Sequence, residues 1–306
     1  MNIHDLEDIE PWEWPTDASK EILRVLRDKA ASEEDRALAT QLAGDFVVIN
    51  DELAAELMAI VKDPGAPVEV RARAAVAFGP ALEHSDCCDW SDEDDILVSE
   101  EVFDRMRQTL RQVYQDPAAP KEVRRRALEG AVRAPEEWQE QAIRTAYASD
   151  DLEWKTTAVF GMAFVPGFER EILDALDSPL PEVEFEAVRA AGSREVAAAW
   201  PYIARLLGPG AYDKELVLAA IEAAPYVDRE ESLLLLDRLR FSKNGEIAEA
   251  ASDAFCMAAA MKESLDEETD WDEGEEDEEF EEYEDDDEEA EFDEEDEEDE
   301  EHDDSV

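Results

Sequence analysis

The chain has 306 residues and a formal net charge of −58, with 86 Asp and Glu residues against 28 Lys and Arg residues. This balance disfavours nucleic acid as a direct ligand, because the protein would repel phosphates. No stretch approaches the roughly 20 apolar residues of a membrane span, so we expect a protein that does not bind membranes. The acidic start does not resemble a secretory signal, and three cysteines do not make a disulfide framework. We therefore expect a cytoplasmic protein.

Residues 1–17 precede the first helical pattern and contain two tryptophans, Trp12 and Trp14, between Pro11 and Pro15. The first unit of a stacked helical array leaves one apolar face without a neighbour. We therefore expect residues 1–17 to form an N-terminal cap in which both rings cover that face. A peptide-binding tryptophan pair is the alternative.

Residues 18–263 carry a recurring ladder of small residues. The seven copies begin at Asp35, Val70, Val123, Trp154, Val183, Leu216 and Ile247. Alanine follows four positions later in every copy, and a small residue follows seven positions later in all but the first. Steps of four and three lie on one helix face, where small side chains let a neighbouring helix approach closely. The starts are separated by 35, 53, 31, 29, 33 and 31 residues, which is typical of a solenoid.

A second apolar pattern at helical spacing follows most ladders. These segments are residues 51–62, 101–115, 136–148, 168–176, 197–207 and 230–241. In the last one, Leu233, Leu234, Leu236 and Leu239 form the predicted apolar stripe. Sustained alternation of the kind that marks strands is absent. The sequence therefore predicts an all-α fold of about fourteen short helices in antiparallel pairs.

The ladder helices resemble those of HEAT-like repeats, particularly the short bacterial type also found in phycocyanobilin lyases. The matching residues are Asp63, Pro64, Val70, Arg71, Ala74, Ala77 and Gly79, then Asp116, Pro117, Val123, Arg124 and Ala127, then Asp177, Pro179, Val183, Ala187, Ala190 and Gly192. The third set has Glu184 where the pattern has Arg. The resemblance implies a right-handed α-solenoid of about seven helix pairs. It implies little about activity, because these are packing residues.

The 53-residue step contains an acidic insertion at about residues 82–100. Insertions in repeat proteins often form binding loops. His84, Cys87 and Cys88 lie in it, and together they suggest zinc. Adjacent cysteines rarely ligate one ion, however, so we predict neither a metal site nor a cofactor.

Residues 264–306 include 31 acidic residues among 43 and no Lys or Arg. Such a segment buries too little apolar surface to offset chain entropy, which predicts a disordered acidic tail. The tail is either a solubilising brush or a polyanion that binds a basic protein. Aromatic rings favour binding, because rings can cover the aliphatic stems of Lys and Arg. The rings belong to Trp271, Phe280, Tyr283 and Phe292.

Arginines of the second helices are the other candidate partner-binding residues. They are Arg107, Arg111, Arg144, Arg170 and Arg205, with Arg105 and Arg238 nearby in the same pattern. In HEAT-like arrays the second helices usually line the concave face, so these residues are expected to form a weak positive stripe. Solvated or intrahelical ion-paired arginines are the alternative.

Catalytic motifs are not evident. The three histidines lie at His4, His84 and His302, outside the repeat pattern, and no Gly-rich phosphate loop or nucleophile elbow is present. We predict a non-enzymatic protein-binding scaffold or chaperone-like adaptor whose acidic tail engages a basic partner. A chromophore-handling protein similar to bilin lyases, and a scaffold with a purely solubilising tail, are the alternatives.

Overall fold

The computed structural model describes residues 3–92, 95–210 and 213–272. These residues form α-helices and two short 3-10 helices, and no strand occurs among them. The all-α prediction is therefore confirmed for this part of the chain. The chain divides into two compact units, residues 1–263 and residues 264–306.

The helices of the first unit begin with a short N-terminal one. In the first half they are α1 Ile3–Glu7, a 3-10 helix Pro11–Glu13, α2 Ala18–Arg27, α3 Glu33–Leu42, α4 Asp51–Lys62, α5 Val68–Ala77, α6 Gly79–Cys87, α7 Glu100–Gln115 and α8 Lys121–Ala131. In the second half they are α9 Glu137–Tyr147, α10 Leu152–Met162, α11 Glu169–Leu176, α12 Pro181–Ser193, a 3-10 helix Ala197–Ala199, α13 Trp200–Leu207, α14 Lys214–Val227, α15 Arg229–Leu239 and α16 Gly245–Asp272.

Helix starts follow from local side-chain chemistry. Several helices have a capping side chain that accepts a hydrogen bond from a backbone N–H of the first turn, which satisfies an otherwise unpaired donor. These caps are Ser32, Asn50, Ser99, Asp151, Asp213 and Asp228. At the Asp-Pro turns the acid accepts a backbone hydrogen bond within the turn itself. Asp63 Oδ1 accepts from Gly65 N at 2.8 Å, and Asp116 Oδ1 accepts from Ala118 N at 2.9 Å.

The arginine of the Val-Arg pattern holds the end of the preceding helix. Arg71 Nε donates to Val61 O at 3.0 Å, and Arg124 Nε donates to Tyr114 O at 2.8 Å. Both carbonyls belong to the last turn of a helix, where no further backbone N–H can reach them. Where Glu184 replaces the arginine, it instead accepts a hydrogen bond from the Tyr202 hydroxyl of α13.

The ladder helices pack in chain order, because α3 contacts α5, α5 contacts α8, and the series continues through α10, α12 and α14. Each of them also packs against the helix before it, as α4 does with α5 and α7 with α8. The alanine four positions into every ladder is completely buried. The predicted face of the ladder is therefore the packing face.

Gly130 shows how tight this packing is. A Cβ atom at Gly130 on α8 would lie 2.4 Å from the backbone oxygen of Ala75 on α5. The backbone of α5 cannot move aside cheaply, so the α5–α8 contact requires glycine at this position.

Two expectations about individual residues are wrong. Leu234 is 68% exposed, whereas Leu236 is completely buried. Residues two positions apart on a helix face different ways. Because residues 233–236 are all leucine, the sequence pattern alone does not assign which of them face the core. Trp12 is 75% exposed and therefore does not bury its ring on the first repeat, whereas Trp14 is buried and its Nε1 donates to Leu6 O at 2.9 Å.

The cap is formed mainly by α1, whose Ile3 and Leu6 are buried and which packs on α2 and α3.

The last helix, α16, runs to Asp272, nine residues past the expected end of the repeats at residue 263. Once a helix has formed, each added residue gains a hydrogen bond at little extra cost. Residues 273–306, which make up most of the predicted disordered tail, lie outside the described residues.

Overpacking should test the ladder. We expect Ala158→Leu and Ala187→Leu each to lower the free energy of unfolding by about 1–3 kcal/mol, because both alanines are fully buried at helix contacts. Ala59→Leu, at an exposed position of α4, is the control. Urea unfolding followed by circular dichroism measures all three, and equal stability of the three variants contradicts the assigned face.

Truncation should separate the two leucines of α15. Leu236→Ala should cost about 2–5 kcal/mol, because it opens a cavity in the core. Leu234→Ala, which removes the same atoms from an exposed side chain, should cost less than about 0.5 kcal/mol. The urea midpoints of the two variants measure this difference. A larger loss of unfolding free energy for Leu234→Ala would show that α15 is rotated from the described position.

Candidate protein-binding surface

Arg107 and Arg111 lie one turn apart on α7 and face the start of α9, where Arg107 contacts Glu136 and Arg111 contacts Trp138. Arg107 Nη2 donates to Glu136 Oε1 at 3.2 Å, and Trp138 Nε1 donates to the other oxygen of Glu136 at 2.9 Å. The guanidinium of Arg111 lies 6.0 Å from the centre of the Trp138 ring. An open cavity of about 630 Å³ lies over this cluster and is also lined by Glu137. We name this cluster the α7–α9 surface.

Aromatic rings extend the α7–α9 surface toward α10. The Tyr114 ring lies 5.3 Å from Trp138 and 6.2 Å from Trp154, measured between ring centres. The guanidinium of Arg124 lies 5.8 Å from the Tyr114 ring centre and 5.7 Å from that of Trp154. Cation–π contacts of this kind hold partly exposed rings in place. The result is a half-buried aromatic platform beside two arginines, Arg111 and Arg124, that have no ion pair among the described residues.

The remaining candidate arginines do not join this surface. Arg144 on α9 pairs with Glu140 at 3.1 Å and with Glu171 at 2.7 Å, and it covers the Phe168 ring at 4.7 Å. Arg205 on α13 covers the Tyr202 ring at 4.4 Å. Arg170 on α11 is exposed. Because Arg107 and Arg144 are ion-paired, the contacts favour separate pairings over a continuous positive stripe.

Sequence reasoning missed Arg133, which follows α8. Its Nη1 pairs with Glu83 of α6 at 2.5 Å, and its guanidinium lies 5.0 Å from the Phe164 ring and 5.7 Å from the Phe160 ring. One side chain therefore ties three parts of the array together. No local spacing marks Arg133, because its two rings belong to α10 and the turn after it. Spacing does mark three other aromatic–arginine pairs, in which arginine follows the ring by three or four residues on one helix. These pairs are Phe103 with Arg107, Phe185 with Arg189, and Tyr202 with Arg205.

A buried polar network joins α8 to α10. Arg125 and Glu129 are both 6% exposed. Arg125 Nε donates to Thr157 Oγ1 at 3.1 Å, and Thr157 Oγ1 donates to Glu129 Oε1 at 2.6 Å. Arg125 also pairs with Glu122 at 2.7 Å. On the adjacent α12, burial raises the pKa of Glu186. The matched charges make this a structural network, and its members do not open onto a described cavity.

The insertion begins as helix α6 rather than as a loop, and α6 packs on α5, α7 and α8. His84 Nε2 donates to Asp95 O at 2.7 Å. Desolvation, followed by the charges of Asp95 and Asp89, raises the pKa of the Cys88 thiol. Among the described side chains, no group of three or more His, Cys, Asp or Glu residues is placed to hold a metal ion. Glu93 and Asp94 lie outside the described residues.

Most of the aromatic residues of the acidic segment lie outside the described residues. Trp271 belongs to the last turn of α16. Phe280, Tyr283 and Phe292 lie outside the described residues, so their expected contact with a basic partner stays a prediction.

No protein-family model matches the sequence, and no curated protein matches it. Across residues 3–92, 95–210 and 213–272, no helix is both long enough and apolar enough to cross a bilayer.

The buried network gives a stability prediction. Glu129→Ala should lower the free energy of unfolding by about 1–3 kcal/mol, because it leaves the buried Thr157 hydroxyl without its acceptor and removes one of the carboxylates beside the buried Arg125. Glu153→Ala is the matched control, since Glu153 also pairs with Arg125, at 3.7 Å, but is half exposed. Its loss should cost about 1 kcal/mol or less. Urea unfolding of both variants measures the difference, and similar losses would contradict the structural role.

Proposed function

We propose that the protein is a non-enzymatic scaffold or chaperone-like adaptor of HEAT-like helix pairs, arranged as a right-handed α-solenoid, that binds a basic protein in the cytoplasm. The acidic C-terminal segment engages the partner. The observation that carries this proposal is the composition of residues 264–306, where 31 of 43 residues are acidic and none is Lys or Arg. Carboxylates at that density attract Lys and Arg and repel acidic proteins and nucleic acids.

The charge of residues 1–263 also favours a positively charged partner. Residues 1–263 hold 55 acidic and 28 basic residues, so they repel polyanions as well. Many of the arginines are already occupied, because they pair with glutamates, cap helix ends or cover rings. The remaining carboxylates therefore set the surface potential.

The helical ladder supports the scaffold part of the proposal. Its seven alanines are buried, and the ladder helices from α3 to α14 contact one another in chain order, as the HEAT-like resemblance implies. Helical arrays of this kind expose long surfaces and recognise proteins through them. The half-buried Trp138 and Trp154 of the α7–α9 surface supply aromatic area of the type enriched at interfaces.

The proposal is tested by replacing residues 273–306 with a neutral Gly/Ser/Gln segment of equal length, which keeps α16 intact. Binding to a labelled 20-residue polylysine peptide should weaken about tenfold or more at 50 mM salt. The loss should shrink at 300 mM salt, because the screening length falls with ionic strength. Fluorescence anisotropy measures both affinities, and circular dichroism checks the fold.

A second variant separates charge from aromatic contact. It keeps every carboxylate and replaces Phe280, Tyr283 and Phe292 with Ser. If rings cover the aliphatic stems of lysine, binding weakens about threefold, which corresponds to the lower range of aromatic contributions. If binding to polylysine is equally strong with the neutral segment, the acidic segment is a solubilising brush and the proposed binding role is wrong.

A further inference from the structure

An open cavity of about 500 Å³ lies at the N-terminal end of the helical array. The chain segment from Leu6 to Trp14 forms one wall, and the C-terminal ends of α3 and α5 form the other. Its apolar lining is contributed by Leu6, Ile9, Trp14, Leu42, Val76 and Pro80. We name this cavity the N-terminal groove.

Two local features build the N-terminal groove. Trp14 Nε1 donates to Leu6 O at 2.9 Å and to Ile9 O at 3.1 Å, which holds the first wall as a closed arch. Gly44 lets the end of α3 reach α5, because a Cβ at this position would lie 2.1 Å from Ala77 O. The apolar floor is therefore a fixed part of the fold, and a partner need not order it on binding.

The rim of the groove is acidic. Glu7, Asp8, Glu10 and Asp45 line it, and Arg133 is the one cation among the described residues of the lining. The charge of Arg133 is already paired with Glu83 at 2.5 Å. A ligand that enters the groove therefore meets carboxylates around an apolar floor.

The acidic rim continues into a neighbouring cavity of about 370 Å³, which shares Glu7 and Gln41 with the groove. Glu33 and Glu34 line this second cavity. Its arginine, Arg73, is paired with Glu69 at 2.8 Å, so this cavity also has an excess of negative charge.

Exposed apolar side chains lie in the same two chain segments. Trp12 is 75% exposed and Ile9 is 36% exposed in the first wall. Phe46 is 51% exposed and Val47 is 53% exposed directly after Asp45. Large exposed apolar groups with a polar rim are typical of protein-binding sites, and tryptophan is the most frequent strong contributor to binding energy there.

We propose that the N-terminal groove binds a segment of the basic partner that combines apolar side chains with Lys or Arg. The apolar side chains enter the floor, Trp12 packs against them, and the cations pair with Asp8, Glu10 and Asp45. This inference rests on the proposed function for the partner's charge, and it adds a binding surface on the helical array.

Charge complementarity selects this occupant over others. The acidic C-terminal segment of a second copy would bring further carboxylates against the rim, where like charges repel. A neutral apolar segment would cover the rim carboxylates without pairing them, which costs desolvation energy. A basic segment with apolar residues satisfies both the floor and the rim.

The test uses full-length protein and two synthetic peptides of equal charge and length. One peptide contains Lys and Leu at helical spacing, so that the Leu residues share one helix face. The other peptide replaces every Leu with Gly. The groove variant carries Asp8→Asn, Glu10→Gln and Asp45→Asn; asparagine at 45 retains the oxygen that accepts from Val47 N. The control variant carries Glu169→Gln, Glu182→Gln and Glu230→Gln, which removes the same charge from exposed positions elsewhere.

We expect the groove variant to bind the Lys/Leu peptide about tenfold more weakly than the control variant at 50 mM salt, with little difference for the Lys/Gly peptide. Trp12→Ala should weaken the Lys/Leu peptide by a similar factor. Phe241→Ala, at an 81% exposed aromatic residue in the last helix pair, should not.

The possible failures are distinct. If the groove and control variants bind the Lys/Leu peptide equally, or if Trp12→Ala has no more effect than Phe241→Ala, the groove inference is overturned. The proposed function then still stands on the dependence of Lys/Gly binding on residues 273–306. If wild-type protein binds neither peptide at 50 mM salt, both the groove inference and the proposed function are overturned.

Discussion

Close contact between ladder helices is the constraint on which the described array depends. The fully buried alanines let α5, α8, α10, α12 and α14 approach until there is no space for a Cβ at Gly130. Interiors packed at this density cannot take up a ligand without displacing backbone. The proposed binding surfaces therefore lie outside the ladder contacts, on the sides of the partner helices and at the end of the array at α1 and α3.

Several arginines of the array are engaged in contacts within it. Arg71 and Arg124 donate to carbonyls of the preceding helix, Arg125 is buried with Glu129, and Arg133 bridges α6 and α10. Each of these roles uses the fork of five N–H donors or the flat face of the guanidinium, which lysine does not offer. These positive charges are therefore engaged within the array, and the unpaired carboxylates face solvent. A basic partner is the ligand class that this distribution favours.

Local pattern accounts for most of what could be predicted. The Asp-Pro turns, the spacing of Ala74 and Ala127, and the periodic apolar residues act within one or two helices, so their consequences can be read along the chain. The six predicted second helices appear within a few residues of their expected bounds. The consecutive leucines at 233–236 could not be resolved in this way, because every phase of the helix has a leucine.

The sequence alone determined the helical class, the ladder face, the negative charge and the concentration of that charge after residue 263. Tertiary structure decided that Trp14 rather than Trp12 is buried, that Arg107 and Arg111 of α7 contact Glu136 and Trp138, and that Ile9 and Asp45 line one groove. The physical reason is distance along the chain. Helix periodicity is a local property, whereas a groove or an ion pair depends on which helices the packing of small residues brings together.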